Sequence, residues 1–111
     1  MRRERVASLL EKEISNIIVQ KIADPRIGFT TISKVLLSAD LKEATVYFSS
    51  LGDKSETLTV LNGAKGYIRN ILAQRIRIKF LPDLCFKIDN SYDYGEKIDT
   101  LLEEISKDNK E

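Results

Sequence analysis

Apolar positions near the start of the chain recur every fourth residue at Val6, Leu10, Ile14, Ile18 and Ile22, with Leu9 and Ile17 widening the stripe. That spacing predicts an amphipathic helix over residues 3–22. Asp24-Pro25 closes it, because proline disfavours a helical residue before it, and Gly28 completes the turn. The period then changes. Residues 29–38 are rich in Thr, Ile and Val and predict a strand. Residues 44–49 alternate, with Ala44, Val46 and Phe48 on one face and Thr45, Tyr47 and Ser49 on the other. The short link between them suits an antiparallel hairpin, with Asp40 in its turn.

A second helix is predicted from 56–62, where Leu58 and Leu61 supply an i, i+3 pair. Gly63-Ala64-Lys65-Gly66 predicts a break or kink, since two glycines cost roughly 2 kcal/mol relative to alanine inside a helix. Helical spacing resumes over 67–74 through Ile68, Ile71 and Leu72. Residues 75–80 switch to period two, placing Arg75, Arg77 and Lys79 on one face and Ile76, Ile78 and Phe80 on the other. Pro82 stops that run. Leu84, Phe86 and Ile88 then predict a third strand, and Ile98, Leu101, Leu102 and Ile105 a last helix from about residue 95. Three strands with helices packed on one face make an α+β domain, expected to span 1–111 as one unit. No repeat or long linker divides it.

Composition narrows the chemistry. The 111 residues contain one cysteine and no histidine. An internal disulfide, cysteine-cluster zinc sites and the Ser-His and Cys-His nucleophile pairs are therefore excluded. No run approaches the roughly 20 apolar residues of a membrane span, and Glu11, Lys12 and Glu13 interrupt any signal-peptide core. A reducing, cytoplasmic setting without a membrane is the expectation.

The net charge of +1 conceals an uneven distribution. Residues 1–56 sum to +1, residues 57–82 to +5 with no acid at all, and residues 83–111 to −5. An acid-free window holding Lys65, Arg69, Arg75, Arg77 and Lys79 is the footprint expected where a polyanion docks. The competing reading is a helix whose cations pair with the acidic C-terminal segment. Arg2, Arg3 and Arg5 extend the candidate positive surface. Arg75 is ambiguous, since its guanidinium also suits the capping of helical carbonyls.

Gly63-Ala64-Lys65-Gly66 has the G-x-x-G form of the loop that clamps single-stranded nucleic acid in K-homology domains; the same glycines also suit a helix kink. Tyr47, Tyr67, Tyr92 and Tyr94 are candidate stacking platforms, although four tyrosines without an RNP-type pattern more often sit at core edges. Cys85 alternates with core positions and reads as structural. No P-loop, dinucleotide fingerprint or metal-ligand spacing appears, so no enzyme, cofactor or small-molecule substrate is expected.

The chain resembles the ribosome-binding factor A family of bacterial small-subunit maturation factors over about residues 3–100. The resemblance rests on Asp24-Pro25-Arg26, Leu37-Ser38-Ala39-Asp40-Leu41, Ala44-Thr45-Val46-Tyr47, Ala64-Lys65-Gly66-Tyr67-Ile68-Arg69 and Arg77-Ile78-Lys79-Phe80-Leu81-Pro82. Pro82-Asp83-Leu84-Cys85-Phe86, with Asp89 and Ser91, completes it. It implies a type II K-homology-like domain in which an interhelical kink at Ala64 and Gly66 replaces the clamp loop. It implies a monomeric, non-enzymatic protein that binds the immature small ribosomal subunit and its rRNA, assists 5′-end processing and matters in the cold. Lys65, Arg69, Arg75, Arg77 and Lys79 are the expected RNA contacts, supported by Arg2, Arg3 and Arg5. The alternatives are a generic single-stranded RNA-binding module and a protein-interaction domain.

Overall fold

The computed structural model describes residues 2–90. The helix expected from 95 onward, Tyr92 and Tyr94 lie outside the described residues. Helix α1 (Arg2–Lys21) buries Leu10, Ile14, Ile17 and Ile18. The Asp24-Pro25 stop then folds as a turn, with the Ile27 amide donating to the Asp24 carbonyl at 3.0 Å. Gly28 follows at φ +55°, a left-handed conformation that glycine adopts without the Cβ penalty.

Strands β1 (Thr30–Leu37) and β2 (Glu43–Ser50) form the expected antiparallel hairpin. Asp40 organises its turn: one carboxylate oxygen accepts from the Ser38 hydroxyl at 2.6 Å and the Lys42 amide at 3.0 Å. Pairing runs in register except between Ile32 and Lys34, where a bulge sets two residues of β1 against Tyr47. The bulge follows from the sequence. Ile32 and Val35 are both buried yet three residues apart, which strict alternation would not allow.

Helix α2 (Lys54–Arg75) starts at Asp53, whose carboxylate accepts from the amides of Ser55 (2.9 Å) and Glu56 (3.1 Å). The two helical segments expected on either side of Gly63 and Gly66 join in this single 22-residue helix. The interhelical element at Ala64 and Gly66 therefore falls inside α2. Burial of Thr57, Val60 and Leu61 before the glycines and of Ile68 and Leu72 after them outweighs the roughly 2 kcal/mol glycine penalty. Both glycines face open space, with no atom within 4 Å of where a Cβ would stand.

Strand β3 (Asp83–Ile88) pairs parallel to β2, giving a mixed sheet in the order β1-β2-β3. A parallel partner requires a crossover, which α2 and the connector after it supply. Phe48, Val46 and Ala44 on the inner face of β2 are fully buried against the helices. This is the expected α+β, K-homology-like arrangement, two helices on one face of a three-stranded sheet. No other described element packs on the second sheet face. Cys85 lies there, exposed, and so takes no part in the packing the sequence suggested for it.

Candidate nucleic-acid interface

The chain leaves α2 at Ile76, whose extended backbone (φ −116°, ψ 135°) caps the helix while its amide donates to the Leu72 carbonyl at 2.8 Å. Residues 76–82 then cross to the start of β3 without regular structure. The predicted alternation holds for Ile76, which is buried, and Ile78, which is half-buried. It fails at Phe80, which is 78% exposed. A connector with no strand partner has nothing to keep its third apolar side chain on the inner face.

The five cations of the acid-free window separate into two groups. Arg69 reaches from α2 to the connector, its Nε donating to the Pro82 carbonyl at 3.0 Å and its Nη2 to the Leu81 carbonyl at 2.7 Å. The same nitrogen lies 3.6 Å from the Asp83 carboxylate. Arg75, the last residue of α2, turns toward α1 instead, 3.5 Å from the Glu13 carboxylate and 3.4 Å from the Gln20 side-chain oxygen. These contacts tie the two helices together, with about a quarter of the Arg75 side chain exposed. Lys65, Arg77 and Lys79 are exposed and form no ion pair with another described residue. Lys79 only rests its ammonium 5.7 Å from the Phe80 ring, an exposed cation–π contact.

Arg2, Arg3 and Arg5 occupy the exposed first turn of α1. Cations there oppose the helix dipole, and Glu4 is the first-turn residue that complements it. Their placement therefore does nothing for helix stability. Arg2 meets Lys42, Arg69 and Lys79 around a cleft of about 610 Å³ between the start of α1, the β1–β2 turn and the connector. Val6, Leu37, Leu41, Ile78 and Pro82 give this cleft an apolar floor. Its two acids are already engaged. Asp83 faces Arg69, and Asp40 is held below the usual carboxylate range by the Ser38 hydroxyl and the Lys42 amide.

Two features escaped the sequence. Lys42 lies in a hairpin turn outside the acid-free window, and only the folded turn carries it to the cleft. On the second sheet face, the bulge sets Lys34 opposite Tyr47, with its ammonium 4.8 Å from the ring centroid, while Lys87 flanks Tyr47 from β3. The spacing of Ile32 and Val35 was the available signal for that row. Tyr67 is half exposed on α2, and Tyr47 is half-buried on the second sheet face. Among the described residues no group of acids and cysteine could hold a metal, and no helix is long and apolar enough to cross a membrane.

A small α+β domain thus presents, among the described residues, cations without an ion-pair partner along one helix and its connector, beside an apolar cleft. Comparison with known proteins places this domain in a family. The sequence model of the family described as ribosome-binding factor A matches residues 2–102, and the chain belongs to that family. The fold is similar to the crystal structure of ribosome-binding factor A from Thermus thermophilus, with a TM-score of 0.76 and 27% identity over 80% of this chain and 97% of that one. It is also similar to a Thermus thermophilus ribosome binding factor A homology model fitted into a cryo-EM map of a 30S complex, with a TM-score of 0.70, 27% identity and coverages of 79% and 96%. A Thermotoga maritima protein described as a putative ribosome binding factor A, solved in solution, has a TM-score of 0.61 and 37% identity over 74% of this chain and 85% of that one.

Proposed function

We propose that this chain acts as a single-domain, monomeric assembly factor in the cytoplasm. It binds the immature small ribosomal subunit through rRNA and assists late maturation and 5′-end processing, with a role that grows in the cold. It catalyses no reaction in this reading and biases rRNA conformation by binding. The observation that carries the proposal is the coincidence of family membership with a set of exposed cations that form no ion pair among the described residues. The Thermus thermophilus relative fitted into a 30S complex supports the small subunit as the partner.

Lys65, Arg77 and Lys79 are the principal phosphate contacts, and Arg2, Arg3 and Arg5 extend the surface. Arg69 and Arg75 act at one remove, by holding the connector and the helix pair in place. If the first three alone meet phosphates, log K falls against log salt with a slope of about −2 to −3; if the N-terminal arginines join them, the slope steepens to about −4 to −5. Recognition in this reading comes from the shape of folded rRNA, since few side chains are placed to read bases.

The test is co-sedimentation with isolated small subunits, large subunits and a short unstructured RNA at low and moderate salt. Salt-sensitive pelleting with small subunits alone is the expected result. Equal binding to the oligonucleotide would reduce the protein to a general RNA binder, and absence of binding to any RNA would remove the proposal.

A further inference from the structure

The cleft beside the connector is more apolar than phosphate binding requires. Val6, Leu37, Leu41 and Ile78 form its floor, and Phe80 lines it while standing 78% exposed. Leu41 sits there against its own backbone preference. It holds φ at +62°, a left-handed conformation that glycine or asparagine adopts more easily. A turn that had only to reverse the chain would favour one of those residues. Leucine instead adds apolar surface to the cleft. Arg2, Lys42 and Lys79 border that surface, and Lys79 holds its ammonium 5.7 Å from the centroid of the Phe80 ring. Both acids of the lining are engaged: Asp83 lies beside Arg69, and Asp40 accepts from the Ser38 hydroxyl and the Lys42 amide.

We propose that the cleft receives one unpaired nucleotide of rRNA, its base stacked on Phe80 over the apolar floor and its flanking phosphates against Arg2, Lys42 and Lys79. The proposal rests on the reading of this chain as an rRNA binder and names what the contact consists of. Charge and apolarity select the occupant jointly. A duplex presents phosphates but keeps its bases stacked inside, which would leave the floor and Phe80 unused. A single-stranded nucleotide offers both a flat apolar face and the negative charge beside it. The cleft volume of about 610 Å³ lies in the range of roughly 300–1,000 Å³ typical of small-ligand pockets, the scale of a nucleotide. Extruding a paired base costs free energy, and an unpaired one costs least. The cleft therefore favours rRNA conformations in which that nucleotide is free, which gives binding a means of biasing rRNA structure. Stacking tolerates any base, so the cleft selects an unpaired nucleotide and not a particular sequence.

Phe80 is the position to change, because a mostly solvated side chain is replaced without unfolding the domain. Phe80→Ala is expected to weaken small-subunit binding at least about fivefold, the lower end of what one lost base stack costs. The salt slope should stay unchanged, since no cation is removed. Phe80→Tyr should keep most of the affinity. Phe80→Leu, apolar but without a π face, should not. Unchanged affinity of the alanine variant would overturn the proposal. Full affinity of the leucine variant would do the same, by assigning the cleft to an apolar side chain of a protein partner.

A titration without ribosomes separates the cleft from the functional reading. Adenosine monophosphate added to the full chain is expected to shift the nuclear magnetic resonance signals of Leu41, Ile78 and Phe80 with millimolar affinity. Ribose phosphate, which lacks the base, should leave them in place. No shift, or the same shifts with ribose phosphate, would rule out a base in the cleft. If the nucleotide binds as stated but the chain does not bind subunits, the base-binding cleft stands and rRNA as its source fails with the functional reading. If subunit binding is intact but neither the nucleotide nor the Phe80 variants have any effect, the cleft proposal fails and the functional reading stands.

Discussion

Two turns in this molecule solve the same problem by opposite means. The Asp24-Pro25-Arg26 turn is satisfied from within: the Asp24 carboxylate accepts from the Arg26 amide (2.9 Å), Nε (3.1 Å) and Nη2 (2.8 Å). The connector over 76–82 lacks any such internal pairing at its far end, where the Leu81 and Pro82 carbonyls are held by Arg69 from α2. A self-satisfied turn needs only its own residues to keep its shape. A connector held from outside transmits what happens to its anchor, and it carries two of the cations expected to meet RNA. Removing the anchor should therefore harm both stability and binding, whereas removing the internal pair should touch only the turn.

The largest expected effect is at Arg69. Hydrogen bonds from a charged donor contribute about 1.5–3 kcal/mol each, and partial exposure brings the pair to about 2 kcal/mol in total. Arg69→Met should lower stability by about that amount in urea denaturation and weaken subunit binding as well, because Arg77 and Lys79 lose their placement. Arg69 is accordingly a poor position for a charge reversal meant to leave the fold intact. A binding loss with unchanged stability in Arg69→Met would place the guanidinium on RNA instead.

The next effect separates placement from contact. Arg77→Ala with Lys79→Ala removes two exposed cations that form no ion pair with another described residue, so stability should stay within about 0.5 kcal/mol. Binding to small subunits should weaken, and the salt slope should become shallower by about 1.4–1.8. An unchanged slope would exclude both residues from the interface. Arg75→Gln should cost no more than about 1 kcal/mol, as expected for a partly exposed pair with Glu13, and should leave the salt slope alone.

The same contrast explains what could be read from the chain before folding. α1, the hairpin and the strand positions were legible because apolar periodicity and a turn aspartate are local signals. The continuity of α2 was not. The glycine penalty at Gly63 and Gly66 is local, but the burial of Leu61, Ile68 and Leu72 that exceeds it exists only once the sheet is present. The acid-free window marked the cations of α2 and the connector, yet it could not separate Arg69 from Lys79. The partners of Arg69 are main-chain carbonyls, which every residue possesses and no sequence pattern announces. Lys42 was missed for the complementary reason, since its importance lies in where a five-residue link delivers it.

The smallest effect belongs to the self-satisfied turn, and its sign with pH distinguishes it from the anchored connector. The Arg26 guanidinium and amide hold the Asp24 carboxyl at about 2, below its ordinary 3.8. The unfolded chain therefore takes up the proton first on acidification. The contribution of the pair is fully present above about pH 4 and disappears as pH falls toward 2. Asp24→Asn should thus lower the thermal midpoint slightly at pH 6, by a difference that shrinks as pH falls from about 4 through 2, with small-subunit binding unaffected at neutral pH. A difference that does not shrink between pH 4 and pH 2 would mean that the side chain shapes the turn through its neutral hydrogen bonds, since asparagine and protonated aspartate differ little in size. Loss of subunit binding in this variant would be more consequential: the turn would then be coupled to the cationic surface, and the division between a self-contained turn and an anchored connector would fail.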